Sequence, residues 1–193
     1  FTSIAPIAEL EFTAAAADAK ANLQGCVFSE IDGPQLVFVN GHFSSELSRV
    51  GELPTGVEIG NLALAACEPC EAEDAFGALN AASFTDGARV RVADGMCFET
   101  PIRVYYLSTG GDGATANIRN HITLGANSKA TILESWTGAD AAYFNNVITE
   151  LSVGDNALLE HVKFQDESTL AFHMAGLHAT LGRDSHVAHH SIA

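Results

Sequence analysis

The sequence predicts a mainly β protein built as a parallel β-helix, and three observations lead to that fold. Turn glycines recur at Gly95, Gly125, Gly154 and Gly182, at intervals of 30, 29 and 28 residues. The sequences around the last three agree: ITLGANSKATIL, LSVGDNALLEHV and ATLGRDSHVAHH. No stretch after residue 90 has a convincing helical period. A near-constant period of this length indicates one structural unit that stacks on its own copies.

Each copy reads as a strand, a turn and a second strand. The residues three and one before the glycine are apolar, as in Ile122 and Leu124, with the hydroxyl of Thr123 between them. This alternation predicts a strand with one buried and one hydrated face. Antiparallel hairpins closing a sandwich or barrel would show the same local pattern. Equivalent positions match in chain order, which favours stacking, so we expect Ile122, Leu151 and Ala179 to be neighbours on adjacent strands.

A short helix, an alanine-rich helical stretch and a hairpin are predicted nearer the start of the chain. The run from Glu9 to Leu23 is rich in alanine and other good helix formers. The pair Asn40-Gly41 between apolar segments predicts a β-hairpin over Leu36 to Phe43. The segment from Cys67 to Asn80 reads as a short helix.

The chain therefore divides into a mixed α/β N-terminal region, residues 1–87, and a β-helix repeat array, residues 88–193. The sequence opens with Phe1 rather than Met and stops at Ala193 within a predicted strand. Stacked folds normally end in a capping element. We therefore expect the array to be truncated at its C-terminal end.

The charge and hydropathy of the 193 residues exclude two classes of partner. Nine basic against 24 acidic residues give a formal net charge of −15, which repels phosphate backbones and argues against nucleic-acid binding. Apolar runs of the length of a membrane span and a basic-then-apolar signal segment are both missing. We expect a soluble, cytoplasmic protein that does not bind membranes.

Several ordered segments resemble the SufB/SufD family of iron–sulfur cluster assembly proteins, and its SufD branch in particular. These segments are LVFVNGHFSSELS, FGALNAASFTDGARVRVADG, PIRVYYLS, ILESWTG and YFNNVITELSVGDNALLEHVKFQDES. The resemblance extends from about residue 34 to the end of the chain. Because it consists of many segments in order, it is far more specific than any single motif.

The resemblance implies a non-catalytic scaffold subunit of the SUF iron–sulfur cluster assembly complex, built on a right-handed parallel β-helix. Such a subunit pairs with a SufB-like protein and works with the SufC-like ATPase. The family's SufC-docking region and its histidine at the SufB contact lie later than these 193 residues, so the resemblance transfers no cluster-site residue. It implies that iron or an iron–sulfur cluster is held only in the intact complex, and we expect this chain alone to bind no cofactor.

The pair Cys67 and Cys70 has the C-x-x-C spacing of zinc, iron–sulfur and redox sites. One pair provides only half of a closed tetrahedral site, and Cys26 and Cys97 do not form a second pair at this spacing. Two reduced thiols without a ligand are the simpler interpretation in a cytosolic chain. The acidic residues around the pair would raise the thiol pKa values and argue against a redox catalyst.

Histidines occur at equivalent positions of the repeats. Four residues before the glycines stand His121, Glu150 and His178, which the stacking places in one outward ladder about 5 Å apart. Seven residues after the glycines, His161 is placed beside His189. Two imidazoles and a carboxylate at such distances can hold a transition metal ion. The alternative is a charge-assisted hydrogen-bonded ladder on a hydrated sheet face.

Motifs for hydrolysis or phosphate binding are missing from the sequence, which contains no G-x-S-x-G, no G-x-x-x-x-G-K-[ST] and no H-E-x-x-H. The alternative to a scaffold is a metal-dependent β-fold enzyme of cupin type, suggested by eight histidines among repeated strands. The cupin pattern needs two histidines separated by one residue after a glycine, and after Gly154 only His161 falls in that window. We therefore expect a scaffold rather than an enzyme.

Overall fold

The computed structural model describes Ala5, Ile7 and residues 11–17, 20–62 and 74–193. Within these residues, the strands are β1 (Thr13–Ala14), β2 (Gln35–Val39), β3 (His42–Phe43), β4 (Val57–Asn61), β5 (Ala88–Val92), β6 (Ile102–Ser108), β7 (Ala114–Leu124), β8 (Lys129–Gly138), β9 (Phe144–Val153), β10 (Leu158–Asp166), β11 (Phe172–Leu181) and β12 (His186–Ile192). Helix α1 spans Ala75–Ser83.

The strands from β5 onward alternate between two sheets. One sheet has the order β11-β9-β7-β5-β4, with β1 added beside β7, and the other has the order β12-β10-β8-β6-β2-β3. Every pairing among β5 to β12 is parallel. Two consecutive strands therefore make one coil, and about four coils stack into a parallel β-helix. The predicted fold class is confirmed, and the antiparallel sandwich or barrel is excluded.

The predicted register of the repeat is also observed. Ile122 is the cross-strand partner of Leu151, and Leu151 that of Ala179. Ile122 and Leu151 are buried. Ala179 keeps the register but is exposed, because β11 is the last strand of its sheet.

Apolar side chains from the inward faces of both sheets form one core. It includes Leu36, Phe38, Val90, Val92, Ile102, Val104, Tyr106, Ile118, Ile122, Leu124, Ile132, Trp136, Val147, Leu151, Val153 and Leu159. The core therefore continues from strand β2, in the N-terminal region, through the stacked coils. The boundary at residue 87 stays a prediction.

The turn glycines are required by close packing between coils. The backbone angle φ of Gly125, Gly154 and Gly182 is not in the left-handed region. A Cβ on Gly154 would lie 2.7 Å from the backbone nitrogen of Ala126 and 2.8 Å from the carbonyl carbon of Gly125. The left-handed position of the turn belongs instead to the Asx residue two places later, as in Asn156 with φ of 55°.

Gly95 lies on the same corner but two positions further along the turn than expected. Val92 pairs with Leu124, so Ala93 rather than Gly95 is equivalent to Gly125. Gly95 has φ of 70° and occupies the left-handed position that Asn127 fills in the next coil. The interval of 30 residues thus joins two non-equivalent glycines.

The N-terminal predictions have mixed outcomes. The Asn40-Gly41 hairpin is confirmed, since β2 and β3 are antiparallel and both turn residues have positive φ. The helix expected over Glu9 to Leu23 is wrong for the described part of that run, which contains β1 and no helix. Of the helix predicted over Cys67 to Asn80, the structure describes residues from Asp74 onward, where Asp74 caps α1 by accepting a hydrogen bond from the Gly77 amide at 2.7 Å.

No helix among the described residues is long and apolar enough to cross a membrane. The compartment in which the protein works stays a prediction.

The alternation of faces predicts opposite outcomes for acidic substitutions at adjacent positions of β9. Val153 is buried and Ser152 is exposed. Val153→Asp should lower the free energy of unfolding by more than about 3 kcal/mol, because it buries an unpaired carboxylate. Ser152→Asp should lower it by less than about 1 kcal/mol. Urea unfolding measures both, and equal losses would show that the strand faces are reversed.

Alanine substitutions test whether the turn glycines are needed because a side chain would collide with the preceding coil. Gly154→Ala should lower the free energy of unfolding by about 1–3 kcal/mol, because the added Cβ meets the backbone of the preceding coil. Gly111 is the matched control, since a Cβ there meets no atom within 4 Å. Gly111→Ala should be neutral or slightly stabilising. Thermal unfolding distinguishes them, and an unchanged midpoint for Gly154→Ala would contradict the stacking argument.

Candidate functional site inside the β-helix

The inward face of one sheet changes from apolar to polar along the stack. Two neighbouring rows show the change: Ile102–Ile132–His161–His189 and Val104–Glu134–Lys163. Alternate residues of a strand face the same side. These side chains therefore point inward, because they lie an even number of residues from buried Ala130 on β8 or buried Leu159 on β10. Polar groups that a hydrated surface could accommodate at no cost therefore lie in the interior, where each needs a partner.

Glu134 is the centre of the first polar group. It is 4% exposed, and its carboxylate accepts hydrogen bonds from Trp136 Nε1 and from His161 Nε2, the latter at 2.9 Å. Burial alone would raise the pKa of Glu134. The hydrogen bond and charge of His161, with the charge of Lys163, outweigh burial and lower this pKa to about 2. Glu134 is therefore an ionised carboxylate in the interior.

His161 joins Glu134 to the next coil. Its ring is 1% exposed, and its Nδ1 lies 3.3 Å from Nδ1 of His189. Because an ionised carboxylate only accepts hydrogen bonds, the Nε2 of His161 carries a proton. Whenever the ring carries only that proton, Nδ1 presents its lone pair towards His189.

A second polar group lies beside the first. Lys163 Nζ is 2.7 Å from His173 Nε2, and His173 Nδ1 is 2.6 Å from Glu167 Oε2. The Lys163 ammonium also lies over the Trp136 ring, 5.4 Å from its centroid. Burial lowers the pKa of Lys163, against the opposing effect of the Glu134 and Glu167 charges. The interior of the later coils thus holds two carboxylates, one lysine and two histidines, and the exposed His189 lies beside them on β12.

The other predicted histidine set lies outside the core, on the opposite sheet. His121, Glu150 and His178 stack in register on successive strands and line one shallow groove. Glu150 is bound by His121 Nε2 at 2.6 Å and by Arg119 Nη2 at 2.7 Å. Burial is the main cause that lowers the pKa of His121. The Arg119 contact makes this arrangement a charge-paired ladder.

Metal binding by the predicted residues stays a prediction. Across the part of the chain that the structure describes, no three or more His, Cys, Asp or Glu side chains are grouped so as to hold one ion. Cys67 and Cys70 lie outside the described residues. Of the other two cysteines, Cys26 is buried and Cys97 is exposed.

Comparison with known proteins connects these coils to a family. Residues 106–193, which include β7 to β12 and both polar groups described above, match the family model described as the SUF system FeS cluster assembly, SufBD core domain. The chain is 26% identical over 208 residues to an iron–sulfur cluster assembly SufBD family protein of Synechocystis. It is 24% identical over 196 residues to the iron–sulfur cluster assembly protein SufD of Escherichia coli.

Over residues 106–193 the chain is similar to the SufBD core domain, and both relatives resemble it along nearly its whole length. The two alignments cover 96% and 99% of this chain but only 46% of each relative. The chain thus spans about half the length of the curated relatives it matches. Members of the SufBD family function in iron–sulfur cluster assembly.

Sequence reasoning paired His161 with His189 but missed four members of the interior group: Glu134, Lys163, His173 and Glu167. The signal that could have found two of them was the strand parity itself. Counting in steps of two from an inward apolar residue reaches Glu134 from Ile132, and Lys163 from Leu159. Glu167 follows β10 in a loop, where parity gives no guidance.

The low pKa of Glu134 predicts a specific acid sensitivity. Its folded-state pKa of about 2 lies below the ordinary value of 4.5, so its contribution to stability is present above about pH 5 and is lost as pH falls towards 2. The contribution amounts to about 3 kcal/mol at neutral pH. Glu134→Gln should therefore be much less stable than wild type at pH 7, and the gap should close as pH falls.

Urea unfolding between pH 7 and pH 3 measures this gap. The control is Glu160→Gln, which changes an exposed carboxylate on the same sheet and should follow the wild-type curve. A Glu134→Gln curve parallel to wild type over the whole range would mean that Glu134 is not held ionised by its neighbours.

Proposed function

We propose that this chain is the β-helical part of a SufD-type, non-catalytic scaffold subunit of the SUF iron–sulfur cluster assembly complex. The observation that carries the proposal is the coincidence of the stacked coils β7 to β12 with the SufBD core domain match over residues 106–193. The relative of Escherichia coli, itself named SufD, aligns along 99% of the chain and so supports the SufD type.

The fold suits a scaffold. Parallel coils hydrogen-bonded to their neighbours form a stiff stack whose two sheet faces are long and continuous. Such a surface holds partner subunits at fixed separations without moving parts. In this role iron or the cluster is cargo of the assembled complex, and the chain positions the proteins that handle it.

The proposed partners are a SufB-like subunit and a SufC-like ATPase, in the cytoplasm. The name of the SUF system in the matched family and the SufD name of one relative support this choice. The formal charge of −15 is consistent with protein rather than nucleic-acid partners.

The cupin-type enzyme has less support. That class is built on antiparallel double-sheet jelly rolls, whereas the repeat strands here pair in parallel. Two of the histidines that suggested it lie in different sheets. His121 is on the outer face of one sheet, and His161 is on the inward face of the other.

Assembly can be tested with the full-length protein co-expressed with the SufB and SufC proteins of the same organism. We expect a complex that survives affinity purification and size-exclusion chromatography. We also expect the full-length gene to restore the activity of iron–sulfur enzymes in a strain that lacks its own SufD.

Two variants control for folding. Ser152→Asp, on the hydrated face, should still assemble and complement, whereas Val153→Asp, in the core, should do neither. A folded wild-type protein that neither binds SufB and SufC nor restores iron–sulfur enzyme activity would overturn the proposed function.

A further inference from the structure

We propose that the Nδ1 atoms of His161 and His189 form a binding site for one divalent transition metal ion where the buried interior meets the exposed strand β12, with Glu134 as the positioning residue for His161. The site lies between two consecutive coils, since His161 is on β10 and His189 is its cross-strand partner on β12. The proposal does not depend on the assembly role, and either can fail alone.

The separation of the two nitrogens fits two ligands of one ion. They lie 3.3 Å apart. Imidazole nitrogens bind Zn²⁺ at about 2.0–2.1 Å, and two such ligands at a tetrahedral angle stand about 3.3–3.4 Å from each other. Register stacking brings the rings together, so the spacing is set by the backbone rather than by two flexible loops.

Glu134 prepares His161 to act as a ligand. Its carboxylate accepts a hydrogen bond from His161 Nε2–H at 2.9 Å, which leaves the Nδ1 lone pair for the ion. A metal-ligating histidine commonly donates its other ring N–H to a carboxylate in this way, and the partner fixes both tautomer and ring orientation. Trp136 donates a second hydrogen bond to the same carboxylate and so holds Glu134 in place.

The surroundings favour a dication. Ile132 and Leu159, both 1% exposed, lie beside His161 and keep water from its inner side. The carboxylate of Glu134 lies at the site, and the ammonium group of Lys163 acts against it. Two imidazole ligands without thiolate suit Zn²⁺, Co²⁺, Ni²⁺, Cu²⁺ or Fe²⁺ rather than Mg²⁺ or Ca²⁺.

The chain provides two ligands, because the described residues hold no larger group of metal-binding side chains. Solvent completes the coordination, and the affinity should be moderate. A simpler arrangement uses the same geometry: His189 Nδ1–H donates a hydrogen bond to the Nδ1 lone pair of His161. The two arrangements differ in whether the site takes up an ion.

Titration of the full-length protein with Co²⁺ alone tests the proposal, read by calorimetry and by the visible absorption of the bound ion. We expect wild type to bind one Co²⁺ more than His189→Gln. His161→Gln should lose the same ion. Glu134→Gln should bind it about 10–100-fold more weakly, which is the usual effect of replacing a carboxylate that hydrogen-bonds a metal-ligating histidine. His178→Gln, which changes a histidine of the outer ladder, should bind as wild type.

His189 is the informative position, because it is exposed whereas His161 is buried, so its replacement puts the core at less risk. Circular dichroism confirms the fold of each variant. Equal Co²⁺ uptake and spectra for wild type and His189→Gln, including no uptake by either, would leave the pair as a hydrogen bond only and overturn the proposal. Loss of the ion in His178→Gln alone would overturn it as well.

Discussion

Register between parallel coils is the constraint on which the rest of the structure depends. A strand within the stack is hydrogen-bonded to the strands above and below it, so each residue stands on its equivalent one coil earlier. The consequence is most visible in the aromatic row of the core. Phe38 stacks on Tyr106 with ring centroids 5.1 Å apart, and Tyr106 on Trp136 at 4.0 Å. A residue placed in one coil therefore determines the environment of its counterpart in the next.

The same constraint explains how charges are tolerated inside. Glu134 is satisfied within its own coil by Trp136 and from the following coil by His161. Removing one partner of such a group leaves a buried charge uncompensated, which is more costly than the net value of the interaction itself. The interior polar group thus links neighbouring coils through specific partners, which the apolar core does not require. Stability alone does not call for this arrangement, because well-packed apolar residues such as Ile132 serve the preceding coil.

The sequence allowed the fold to be predicted because the repeat expresses the register directly: Ile122, Leu151 and Ala179 align without any knowledge of long-range contacts. Where local signals stood alone, they misled. The glycine spacing equates Gly95 with Gly125, but the two glycines meet different requirements. Gly95 adopts a positive φ, whereas Gly125 leaves room for the backbone of the preceding coil. The alanine-rich run after Glu9 has helical propensity, but Thr13 and Ala14 pair with β7, and Phe12 packs on Phe144 at 5.2 Å. Tertiary pairing overrides propensity in such a segment.

The outer and inner histidines differ in what their carboxylate does. In the outer ladder, Glu150 lies between Arg119 and His121, so its charge is already paired by a permanent cation. In the interior, Glu134 holds one side of His161 and leaves the other side to a second imidazole. A ligand bound there would join β10 to β12, and any ion that binds the folded stack and not the unfolded chain adds its binding free energy to stability. In a fold of successive coils, that contribution acts at a single interface between neighbours, so occupancy would stiffen the later coils without altering the earlier ones.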